Sequence, residues 1–101
     1  MTQSTAEIQN YLDEHAERFQ NDLCEWLRMA SISTDSQYAD DVRTAANWLL
    51  GKFQDLGFQS ELIETVGHPI VYAETPPVEG APVVLVYGHY DVQPPDPLEL
   101  W

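Results

Sequence analysis

The chain has 101 residues, 44% of them hydrophobic and 21% charged, a composition that supports one folded domain and is too apolar for a disordered segment. Its 17 acidic residues stand against 4 Lys and Arg, giving a formal net charge of -13. Such a chain repels phosphate backbones and anionic lipid, which sets aside nucleic acid and membrane surfaces as partners.

The polar start, Met1 to Glu7, lacks the basic residues and apolar run of a signal peptide. No apolar stretch approaches the ~20 residues of a membrane span. The single cysteine, Cys24, excludes a disulfide within these residues and fits a reducing compartment, where its ordinary use is to fill core. The expectation is a soluble, cytoplasmic protein.

Ile8, Leu12, Phe19, Leu23, Trp26, Leu27 and Ala30, with Tyr11 and Ala16 beside them, fall on one face of a helix. This spacing predicts one long amphipathic helix from Ile8 to Ala30. It should end near Ser31, where Ser31, Ser33, Thr34, Asp35 and Ser36 compete for backbone hydrogen bonds. A second helix is expected through Val42, Ala45, Ala46, Leu49, Phe53 and Leu56, with Asp40 and Asp41 at its positive end. Gly57 supplies a left-handed cap, while Gly51 costs roughly 1 kcal/mol against alanine without ending the helix.

Beyond Gly57 the period changes, and the runs become short and rich in β-branched and aromatic residues. Phe58 to Thr65 and Ile70 to Glu74 read as strands separated by Gly67, His68 and Pro69, a hairpin being one way to join them. The run Pro82, Val83, Val84, Leu85, Val86, Tyr87, Gly88 is apolar on both faces, the pattern of an interior strand in a sheet covered by helices. Two helices and two other strands cannot cover it, so further strands and helices are expected on its carboxyl side. Asp91 to Trp101 carries Pro94, Pro95 and Pro97 and should be extended or looped. Its end on Leu98, Leu100 and Trp101 looks like a truncation.

The apolar run leads into Gly88, His89, Tyr90 and Asp91, placing an imidazole and a carboxylate just past a strand's carboxyl end, where open α/β sheets bind ligands. Imidazole is a good zinc ligand, and a ligating histidine commonly gives its other ring N–H to a carboxylate that fixes its tautomer. Asp91 is placed to do this for His89. His-x-Asp alone is a common pattern, and a histidine at a strand end is more often simply hydrogen-bonded. His15, among Asp13, Glu14 and Glu17, reads as solvated, and His68 before Pro69 as a turn residue. The acidic residues of the first helix read as a solvated face, and Trp26, Trp48 and Phe53 as core. No phosphate loop, paired-cysteine motif or nucleophile elbow is present.

The segment from Val83 to Trp101, VVLVYGHYDVQPPDPLELW, resembles the first metal-site motif of the M20 zinc peptidases, an apolar strand leading into GHxDVxP, and is closest to their dipeptidase and carnosinase-like branch. The resemblance extends upstream through SISTDSQYADDVRTAANWL and the LGF turn at Leu56 to Phe58. It implies that residues 1–101 are the amino-terminal portion of an α/β catalytic domain with a mixed sheet, interrupted by a lid or dimerisation domain. It further implies two zinc ions, with manganese or cobalt as alternatives, a small peptide substrate, and a homodimer in the full-length enzyme.

By the same resemblance His89 is a metal ligand, and Asp91 orients it and supports catalysis. The bridging aspartate, the general-base glutamate and the remaining ligands come from segments that are not here, so the 101 residues alone are expected to be inactive. Metal-assisted dipeptide hydrolysis is the activity implied. The alternatives are hydrolysis of N-acyl amino acids by the same chemistry, and a non-catalytic α/β module binding a partner through an open strand edge.

Overall fold

A computed structural model describes residues 4–101. Met1 to Gln3, part of the polar start, lie outside the described residues. Among the described residues the fold is mixed α/β, with three α-helices and one two-stranded antiparallel sheet.

The first helix, α1 (Thr5–Glu14), opens on a capping box. Ser4 Oγ accepts from the Glu7 amide at 3.2 Å and the Glu7 carboxylate accepts from the Ser4 amide at 2.9 Å, satisfying two amides that a helix start leaves unpaired. The single long helix expected here is in fact two. It breaks at His15 (φ -110°, ψ 11°), and α2 runs from Ala16 to Leu27. The His15 ring donates from Nδ1 to the Tyr11 carbonyl at 2.8 Å, and the His15 amide uses the same oxygen. A side chain drawn into the helical ladder in this way is a recognised cause of a kink.

Helix α2 packs on α3 (Ala39–Asp55) through stacked Trp26 and Trp48 rings, with centroids 5.7 Å apart. Lys52 lies 5.0 Å above the Trp48 ring and 3.2 Å from the Asp22 carboxylate. Val42, Ala45 and Ala46 of α3 are buried. The helix ends as its glycine requires: Gly57 adopts φ +83°, its amide donates to the Gln54 carbonyl, and the Phe58 amide donates to that of Phe53. The Phe53 and Phe58 rings, 5.5 Å apart, complete a Schellman motif with its apolar contact.

Strands β1 (Gln59–Ile63) and β2 (Ile70–Glu74) form the hairpin, with Glu61 opposite Tyr72 and Ile63 opposite Ile70. Ser60, Leu62, Val71 and Ala73 are half-buried and the alternate residues exposed, as period-two alternation over a helix-covered face demands.

The strand expected over Pro82 to Gly88 does not form. Val83 to Tyr87 are 79–96% exposed, and this segment has no strand assignment. A strand is defined by hydrogen bonds to a neighbour. β1 and β2 pair with each other along one edge apiece, and among the described residues this run pairs with neither of their outer edges nor with any other strand. Just beyond it the chain is caught again, by a parallel bridge between Ile32 and Val92. The Pro-rich end is looped as expected, apart from one 3-10 turn at Leu98–Leu100.

Candidate functional site

Three loops meet beside that bridge: Ser31–Ser33 after α2, His68–Pro69 before β2, and Gly88–Val92. Polar contacts join each loop to the others. The Val92 amide donates to the Ser31 carbonyl at 2.9 Å. Ser31 itself is 1% exposed, and its hydroxyl donates to the Tyr90 carbonyl at 3.1 Å. The Tyr90 hydroxyl donates to the Pro69 carbonyl, and the His68 ring donates from Nε2 to the Ser33 carbonyl at 2.8 Å. Buried polar groups satisfied in this way hold a loop in one geometry.

The loops enclose an open groove of about 230 Å³ lined by Ser33, His68, Pro69, Gly88, His89, Tyr90 and Asp91. In it His89 Nδ1 lies 3.0 Å from Asp91 Oδ1. A carboxylate only accepts, so Nδ1 carries a proton, and in the neutral ring Nε2 then keeps its lone pair. The Tyr87 hydroxyl, 3.4 Å from Nε2, approaches that lone pair, with the two rings edge to face at 5.5 Å. The other Asp91 oxygen, Oδ2, accepts from Ser33 Oγ at 2.6 Å.

The Ser33 hydroxyl, and more weakly the His89 ring, hold the Asp91 carboxyl below its ordinary range, partly opposed by burial. Burial, helped by the Asp91 charge, pushes the Tyr90 phenol up, so Tyr90 stays a neutral donor to Pro69.

His89 and Asp91, the two site residues expected from the sequence, are thus in direct contact. His68 lines the same groove, but its Nε2–H is committed to a backbone carbonyl, which makes it a staple between loops. His15 is in the α1–α2 joint and bonds Tyr11. Sequence reasoning missed Ser33, Tyr87 and Tyr90. Ser33 was read only as a helix-ending residue, and the one available signal was its place in the SISTDS stretch.

A Ser, a His and an Asp in contact invite comparison with a nucleophilic triad, but the order of contacts excludes it. A nucleophilic serine gives its proton to the imidazole, whereas Ser33 donates to the carboxylate on the far side of the ring. Nor do these residues suffice for a metal ion. Zinc takes roughly three or four protein ligands, and among the described residues no three His, Cys, Asp or Glu side chains are grouped to hold one. A single imidazole nitrogen, that of His89, would be one ligand of that number.

The chain is 34% identical over 103 residues to a cysteinylglycine-S-conjugate dipeptidase from Corynebacterium striatum, a match that covers 88% of this chain and 22% of that protein. This chain therefore spans about a fifth of that relative's length. The likeness supports kinship with a dipeptidase family. No family profile and no solved structure matches the chain. Among the described residues, no helix is long and apolar enough to cross a membrane.

Proposed function

We propose that this chain forms part of a metal-dependent dipeptidase of the M20 type, in which His89 is one metal ligand and Asp91 the carboxylate that orients it. The observation that carries the reading is the 3.0 Å contact between His89 Nδ1 and Asp91. It commits Nδ1 to the carboxylate, so Nε2 is the ring nitrogen left for a metal, on a residue that lines an open groove. The printed activity of the Corynebacterium relative supports a dipeptide as substrate, and the GHYDVQP segment supports zinc, in a two-ion centre whose other ligands come from elsewhere in the full protein. A cytoplasmic homodimer belongs to the same reading.

The test is hydrolysis of a cysteinylglycine conjugate and of an N-acetyl amino acid by the full-length protein, before and after chelation, with His89→Ala beside it. Dipeptide turnover that disappears on chelation, and a variant that loses metal and activity together, support the reading. Preference for the N-acetyl amino acid moves the assignment to an amidohydrolase of the same chemistry. Turnover unaffected by chelation, or by His89→Ala, removes the metal role.

A further inference from the structure

We infer that Ser33 is a positioning residue whose hydroxyl holds Asp91, so that Asp91 in turn holds the His89 ring by its Nδ1–H. The geometry depends on how a carboxylate divides its two oxygens. With Oδ1 on His89 Nδ1 at 3.0 Å and Oδ2 on Ser33 Oγ at 2.6 Å, rotation about the terminal carboxyl bond breaks both contacts at once. Each bond therefore fixes the plane of the other. A short O–H···O⁻ bond is among the stronger hydrogen bonds a protein makes.

Ser33 is itself anchored independently of Asp91. Its carbonyl accepts from the His68 ring at 2.8 Å, and the adjoining Ser31–Ile32 backbone is tied to Tyr90 and Val92. The side chain of Asp91 is about one-third exposed and that of His89 69% exposed. Without the serine, water would compete for Oδ2, the carboxylate would turn more freely, and the imidazole would lose the fixed acceptor at Nδ1, leaving only the longer 3.4 Å approach of the Tyr87 hydroxyl to Nε2. The carboxylate reads the tautomer of His89, and Ser33 sets the orientation of the carboxylate. Any catalytic consequence rests on the dipeptidase reading above, but the orientation of the ring does not.

The experiment uses the full-length protein labelled with ¹⁵N-histidine and stripped of metal by chelation, with His89 assigned by its loss in His89→Gln. Wild type should show His89 protonated at Nδ1 only. Ser33→Ala should show a mixture of tautomers, and Ser33→Thr, which keeps the hydroxyl, should restore the single form. In the metal-loaded protein Ser33→Ala should lower kcat about 10-fold or more, with KM within about twofold and metal content unchanged.

A Ser33→Ala protein that keeps the single Nδ1–H tautomer overturns the inference. If Ser33→Ala does not fold, Ser33→Cys, nearly the same size but a weak donor, is judged by the same ring spectrum. Wild type that fails to hydrolyse dipeptides defeats the dipeptidase reading alone, since the tautomer measurement still decides the role of Ser33.

Discussion

Ile32 and Val92, from the loop after α2 and the segment after His89, form a lone parallel bridge that fixes where the candidate site sits on the fold. Ile32 is 8% exposed, one of few apolar side chains buried to that degree. The bridge is the backbone frame on which the Ser33–Asp91–His89 chain of contacts is mounted.

Truncating Ile32 should therefore be felt at the site as well as in stability. Ile32→Ala removes buried methyl groups that in cores cost about 2 to 5 kcal/mol, and the low end applies here because the neighbouring loops can close in. Denaturant unfolding should show that loss. The wild-type single tautomer of His89 should give way in the same variant even under conditions where it is fully folded.

Asp91→Asn in the full-length protein should keep most of its metal and lose about 10- to 100-fold in activity. The amide offers one acceptor and one donor where the carboxylate offers two acceptors, so it can meet His89 in either tautomer and no longer selects one. Metal analysis and steady-state kinetics on the same preparation check this. Unchanged turnover would refute the role given to Asp91.

The depressed pKa of Asp91 has a pH consequence of definite sign. A carboxyl that titrates lower in the folded state contributes stability in full above its unfolded value, near ~3.9, and loses it as pH falls through the folded value. Denaturation midpoints taken stepwise from about pH 6 down to about pH 3 should fall more steeply for wild type than for Asp91→Asn. The comparison is needed because Glu64, hydrogen-bonded to Arg43, is lowered too. Parallel curves would show that Asp91 has no such partner in the folded protein.

What could be read from the sequence was whatever local chemistry decides. Gly57 announced the end of α3 because only a residue free at positive φ completes that cap, and the hairpin strands followed from short runs rich in β-branched and aromatic residues on either side of Gly67, His68 and Pro69. His89 and Asp91 were legible because they are two residues apart. The break at His15 was not, since it arises from a ring bonding a carbonyl one turn back, at a residue whose neighbours mark it as solvated. Ser33 was invisible as a site residue because its partner is 58 positions away, and only the fold brings the two together. For Val83 to Tyr87 the apolarity was read correctly, but strand formation depends on a neighbour that its own residues cannot supply.

That same segment yields a prediction about the 101-residue chain expressed by itself. Val83, Val84, Leu85, Val86 and Tyr87, all at least 79% exposed, form a contiguous apolar run with unpaired backbone groups, a template for association between chains. The isolated chain should bind a hydrophobic dye and self-associate as its concentration rises. Leu85→Lys should weaken both effects, because a charge in such a run opposes edge pairing, while leaving helix content by circular dichroism unchanged. Were the isolated chain monodisperse, dye-silent and cooperative in unfolding, it would be behaving as a self-sufficient module. The non-catalytic binding reading would then gain over the dipeptidase one.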